Sequence, residues 1–131
     1  MTRAEFAEKT KRFALAVVEL VEDLSDSKAA DVMGKQLLRS ATSVAANYRA
    51  SCRARSRREF IAKMGIVEEE ADESQFWIEM LVHRGLVEKP AGIALHREAN
   101  QIVAMTVSSI RTARRTPRLN PQSAIRNLQC S

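Results

Sequence analysis

Helix breakers are scarce in this chain: 131 residues contain three prolines and four glycines, and Pro117 and Pro121 both fall after residue 116. From residue 3 to residue 114 almost nothing interrupts a composition dominated by Ala, Leu, Glu, Arg and Lys, all strong helix formers. The expected class is all-α, and the length fits one domain with an ordinary core. Cysteine is rare as well. Cys52 and Cys130 have the spacing of neither a metal site nor a disulfide framework, so a reducing compartment is expected. A long apolar run is also missing, because Phe13 to Val21 is broken by Glu19 and the N-terminus carries acids with no apolar core. Neither a signal peptide nor a membrane span is expected, which places the protein in the cytoplasm.

Chemistry-bearing patterns are equally sparse. Carboxylate-bridged metal bundles need Glu-x-x-His on two helices, yet Met80 stands three residues before His83 and Ile93 three before His96. Glu68, Glu69 and Glu70 are consecutive on a helix and cannot aim at one point. Cys52 has cationic neighbours but no evident base or oxyanion loop. Gly34, Gly65, Gly85 and Gly92 are scattered, so no glycine-rich phosphate loop exists. No enzyme, metal or cofactor is expected. The helices look too long and too similar in length for a helix-turn-helix. With 5% aromatic residues and Tyr48 the only tyrosine, a base-stacking platform is missing too, and any nucleic-acid contact would be with phosphates.

What the chain does contain is four amphipathic helical stretches. Thr2 and Glu5 form a capping box before Phe6, Thr10, Phe13, Val17, Leu20 and Leu24, predicting a first helix from about Arg3 to Leu24. Ser25 to Ser27 form a turn that caps the second helix, which runs to about Ala50. Ser56 and Glu59 form a second capping box for a third helix from about Arg57, whose apolar face is Phe60, Met64, Val67, Ala71, Ser74, Ile78 and Leu81, with a stop at Gly85. The fourth runs from about Ala94 to Arg114 through Leu95, Ala99, Ile102, Thr106, Ile110 and Ala113. Short links between four helices predict an up-down bundle over residues 1–114. Residues 115–131 contain no acid and read as a basic, mobile tail.

The centre of this arrangement is the hairpin from Lys35 to Glu73. Its first arm is rich in small residues, Ser40, Ala41, Thr42, Ser43, Ala45 and Ala46, and Leu37, Ala41, Val44 and Tyr48 share one face. A turn centred near Ala54 would set Arg39 opposite Glu69 and Lys35 opposite Glu73, pairs read as register-setting rather than catalytic. Charge is segregated along the chain: residues 28–63 carry +7, residues 64–80 carry −6 and residues 111–131 carry +5. Arg49, Arg53, Arg55, Arg57 and Arg58 cluster around the turn, and Arg57 and Arg58 stand at a helix N-terminus where the dipole disfavours cations. With Arg111, Arg114, Arg115 and Arg118 they are the candidate phosphate-binding residues. Phe76 and Trp77 are adjacent and must face different ways, so one of them can supply a subunit interface.

The hairpin also carries a resemblance. QLLRSATSVAANYRA from Gln36 to Ala50, then Arg55, Ser56, Glu59-Phe60, Lys63-Met64, Ile66-Val67, Glu69-Glu70-Ala71, Glu73-Ser74 and Phe76-Trp77, resembles the bacterial four-helix bundle family of 23S rRNA intervening-sequence proteins, sometimes labelled ribosomal protein S23. The similarity spans about Phe6 to Arg114. It implies an up-down bundle assembled as a ring of five, without catalytic residues. Related accessory proteins of diversity-generating retroelements bind nucleic acid and a reverse transcriptase, which makes both expected partner types. The resulting expectation is a non-enzymatic, cytoplasmic homopentamer that binds RNA or DNA; the alternative is a protein-interaction scaffold.

Overall fold

The computed structural model describes residues 1–115 of the chain. Within them lie four helices, α1 (Arg3–Glu22), α2 (Lys28–Ser51), α3 (Arg57–His83) and α4 (Lys89–Arg114), and no strand. Links this short make consecutive helices antiparallel neighbours. α2 packs on α1 and α3, α4 packs on α3, and a lighter contact between α4 and α1 completes an up-down bundle.

The core is the stripe that helical spacing picks out. Phe13 and Val17 of α1, Leu37, Ala41, Val44 and Tyr48 of α2, Met64, Val67, Ala71 and Ile78 of α3, and Ala99 and Ile102 of α4 are buried together. Leu20, Leu24 and Leu95 are only partly buried, because they lie towards one end of the bundle where the helices leave them beside solvent. At the start of α1 the Thr2 hydroxyl accepts the Glu5 amide at 3.1 Å, and the Thr2 amide donates to the Glu5 carboxylate at 2.8 Å. That reciprocal pair holds the Glu5 carboxyl below the usual carboxylate range.

Two helix starts differ from the sequence expectation. Ser56 caps α3 by accepting the Glu59 amide at 3.0 Å, but the Glu59 carboxylate takes the Arg55 amide at 3.2 Å, so the second capping box is only half formed. α4 begins at Lys89, five residues before Ala94. Proline in the first turn of a helix loses no hydrogen bond, so Pro90 starts α4 instead of delaying it. Gly92 then lies against α3, where a Cβ would stand 2.2 Å from Val82 Cγ2.

The hairpin register is corrected by about one turn. Arg39 donates to Glu70 at 2.8 Å and also reaches Glu73, while Glu69 is solvent-exposed. Lys35 does not meet Glu73; it pairs along its own helix with Asp31 at 3.2 Å. The reason lies in the turn. Arg53 and Ala54 donate to Ala50 and Ser51 carbonyls at 3.1 Å each, continuing the winding of α2 past Ser51 and moving the reversal towards α3. The buried marker of the true register is Ser40, whose hydroxyl lies 3.0 Å from that of Ser74. Each hydroxyl is also within bonding distance of a carbonyl of its own helix, Leu37 at 3.1 Å and Glu70 at 2.8 Å. These backbone-directed bonds satisfy the hydroxyls inside a seam with no room for larger side chains. The two carboxylates hold the Arg39 guanidinium above its ordinary range, through the Glu70 bond first and Glu73 second.

Two outcomes follow for stability. In urea denaturation, a double-mutant cycle of Arg39→Ala with Glu70→Ala should show coupling of about 0.5–1 kcal/mol, and the same cycle with Glu69→Ala close to none. Coupling to Glu69 instead would restore the symmetric register. Gly92→Ala should cost about 1–3 kcal/mol because Val82 is β-branched and yields little. Gly65→Ala, whose new methyl meets nothing within 4 Å, should add about 0.5–1 kcal/mol. Replacing Val82 by Ala in the Gly92→Ala background should recover part of the loss.

Candidate nucleic-acid interface

Antiparallel order brings the start of α1, the end of α2, the start of α3 and the end of α4 to the same end of the bundle. The arginines of the α2–α3 turn therefore share that end with Arg111, Arg114 and Arg115, although half the chain separates them in sequence. Arg53, Arg55, Arg58, Arg111, Arg114 and Arg115 face solvent there, and Arg57 is half-buried. Arg49 is exposed one turn back along α2, and Arg118 lies outside the described residues. Two acids of this end are already engaged: Glu59 with the Arg55 amide, and Glu5 with Thr2. The opposite end mixes Glu19, Glu22, Asp23, Asp26 and Glu88 with Lys28, Arg84 and Lys89, leaving a slight acidic excess. The bundle is thus polarised along its axis, and its basic end is an electrostatic footprint for a polyanion. Helix dipoles divide the cluster: Arg49, Arg111 and Arg114 occupy last turns, where a cation is favoured, whereas Arg57 and Arg58 open α3 against the dipole. Folding stability alone gives no reason for cations at the second position.

Beside this end, α1 and α2 leave a half-open groove of about 590 Å³. Lys11 from α1, Arg49 from the last turn of α2 and Arg53 from the turn that follows it line the groove, together with Ala7, Ala45 and Ala46. Lys11 was missed at the sequence level, since its single charge on the first helix is invisible until that helix lies against the second. Of the small residues in the first arm of the hairpin, Ser40 and Ala41 are buried by close packing, but Ala46 is exposed and forms groove wall. Cys52, which also lines the groove, is disulfide-bonded rather than a free thiol, which corrects the expectation drawn from cysteine spacing. Spacing along a chain does not decide which sulfurs a fold brings together.

Below the groove Tyr48 stacks on Phe6, ring centroids 4.2 Å apart at 17°, and its hydroxyl donates to the Arg3 carbonyl at 3.5 Å. Burial pushes the Tyr48 phenol up to about 12, with the Arg3 charge a smaller opposing influence. The tyrosine is therefore a structural ring, neither a base nor a stacking surface. Burial likewise lowers Arg3 from its ordinary value.

The aromatic pair lies elsewhere, on the outer side of α3. Trp77 is half-buried against the core and donates its indole N–H to Glu73 at 3.1 Å, joining the Arg39 network. Phe76 meets Trp77 edge-on at 4.8 Å and is 48% exposed, on the same outward face as Ile66 and Met80. Among the described residues, no group of three or more His, Cys, Asp or Glu could hold a metal ion. His96 instead pairs with Glu79 at 2.7 Å, linking α4 to α3. No helix among these residues is long and apolar enough to cross a membrane.

Comparison with known proteins finds both a family and a solved structure that are similar to this chain. The family model described as 23S rRNA-intervening sequence protein matches residues 2–108. A crystal structure of a protein of unknown function from the S23 ribosomal protein family of Bacteroides thetaiotaomicron is similar at 32% identity, with a TM-score of 0.80; the alignment covers 86% of this chain and 100% of that one. No curated protein matches.

The buried phenol has a consequence at high pH. Tyrosine in an unfolded chain titrates near 10, so the folded state holds the proton more tightly. The stability this contributes is complete below about pH 10 and drains away as pH rises towards 12. Denaturation midpoints measured across that window should fall for the wild type, and Tyr48→Phe should flatten the fall.

Proposed function

We propose, from the premise that the chain belongs to the 23S rRNA-intervening sequence protein family, that it is a non-enzymatic, oligomeric, cytoplasmic accessory protein whose basic end binds the phosphate backbone of RNA or DNA. The observation that supports this reading most directly is the meeting of two distant arginine groups, Arg53 to Arg58 and Arg111 to Arg115, at one end of the bundle. Arginine forks suit phosphate oxygens. Among the described residues no exposed aromatic side chain stands at that end, so the contact would follow the backbone and be indifferent to base sequence.

The same proposal includes assembly into a ring, a homopentamer. The outward face of α3 offers Ile66, Phe76 and Met80 to a second copy. Acidic residues of α3 lie on that face as well, and could meet the basic segment of a neighbouring copy. A ring repeats the arginine cluster, and repeated weak contacts on one body raise the local concentration for each next contact. Long strands should then bind far more tightly than short ones. The scaffold alternative draws on the same exposed Phe76 face, with a different protein as its occupant.

Affinity for a labelled polynucleotide should fall about a hundredfold between 50 and 200 mM salt if roughly four phosphates are neutralised per binding unit. Arg57→Ala combined with Arg58→Ala should weaken binding and flatten that dependence. Binding that is absent, or insensitive to salt, would leave the scaffold reading. Phe76→Glu should give a monomer by light scattering with unchanged helical signal and much weaker binding to long strands. A wild-type monomer would remove the ring.

A further inference from the structure

A ring closed by rotation needs two different faces on every copy, because what one copy offers to its neighbour must fit another surface on that neighbour. α3 supplies one such face through Ile66, Phe76 and Met80, with the exposed acids Glu69 and Asp72 beside them. A second runs along α4. Ile93, Arg97, Asn100, Ala104 and Ser108 recur at spacings of three and four on the side turned away from the core, and all five are exposed. Glu98 is the one acid of α4, and Lys9 already holds it at 2.7 Å. Arg97, Glu69 and Asp72 make no ion pair among the described residues. The outward face of α4 is therefore basic where that of α3 is acidic, and both carry an exposed apolar side chain.

The heights of the two faces also agree. Across the seam inside one copy, His96 pairs with Glu79 and Gly92 lies against Val82. Rotation about an axis along the bundle leaves every height unchanged, so α4 of the next copy meets α3 antiparallel and in this same register. Ile93 then arrives level with Met80, Arg97 with Phe76 and Asn100 with Asp72, each to within a turn. Those meetings set an apolar side chain on another, a guanidinium over an aromatic ring and an amide against a carboxylate. Because α3 and α4 are neighbouring corners of the bundle, their outward faces diverge instead of pointing opposite ways. Diverging faces close a ring, whereas opposite faces would propagate a filament. We propose that the α4 face of Ile93, Arg97 and Asn100 is the second half of the subunit contact and receives Phe76 and Met80 of a neighbouring copy. The assignment rests on the ring reading above and deepens it by naming the surface that covers the α3 face. It excludes a contact of α3 with α3, which would be isologous and stop at a dimer.

The test breaks the two faces separately. Phe76→Glu disables the α3 face and Ile93→Glu the α4 face, each at an exposed helical position where glutamate is a good helix former, so circular dichroism should show both folds intact. By light scattering on the full chain, each variant alone should be a monomer. An equimolar mixture should give a dimer containing one copy of each, because one intact face of either kind remains and nothing can add to the disabled ends. Arg97→Glu should raise the concentration at which the oligomer half-dissociates about tenfold, and Asp72→Arg in the same chain should recover part of that shift. Ile93→Glu that keeps the wild-type mass, or forms a dimer by itself, overturns the α4 face and leaves α3 as the contact. A mixture of the two variants that stays monomeric while the wild type is a ring also overturns the pairing of faces. A monomeric wild type overturns the inference and the ring together.

Discussion

The close seam between α2 and α3 is the constraint on which the rest of the bundle depends. Ser40 and Ser74 meet at its centre with hydroxyls 3.0 Å apart, and only small side chains fit there. Close approach leaves each helix a single well-packed register, because sliding by one turn would drive Leu37 or Ile78 against the serine positions. Arg39, 49% exposed, then spans to Glu70, which is only 14% exposed, at the edge of a register already set by packing. The ion pair reports the register more than it causes it.

That register has an electrostatic result. Once α2 and α3 are antiparallel and α4 returns beside α3, the turn arginines and the last turn of α4 must share an end, while Glu19, Glu22 and Asp23 gather at the other. No single segment carries this polarity. It is made by folding back a chain whose charges alternate in blocks, so that like blocks coincide. The mutual repulsion of so many cations at one end costs stability, and a bound polyanion would relieve it. The lengthwise gradient also means that copies sharing a ring axis would present their basic ends together.

The groove beside α1 arises from the opposite property of the same helix. Small residues on the α3-facing side of α2 allow tight packing, whereas Ala45 and Ala46, turned towards α1, leave space that no side chain of α1 fills. Phe6 and Tyr48 stack beneath and keep the two helices apart at that level. One composition thus yields a closed seam on one face and an open furrow on the other, according to what the neighbour offers.

How much was legible in the residues differs between core and site. The helix class, the number of helices and the buried stripe from Phe6 to Ala113 follow from the chain alone, because burial repeats at the helical period and breakers are few. Clustering of Arg49 to Arg58 is visible for the same reason: those residues are neighbours in sequence. Tertiary structure decided everything that depends on where a helix really ends. The extra winding at Arg53 and Ala54 moved Arg39 from Glu69 to Glu70 and Glu73, whereas the start of α4 with Pro90 in its first turn is a local signal that the sequence already carries. It also decided that Lys11 joins Arg49 and that Arg114 joins Arg58, pairings between residues with no local signal. Local periodicity reads one helix at a time, whereas a site built from four helix ends exists only after their register and order have been set by packing.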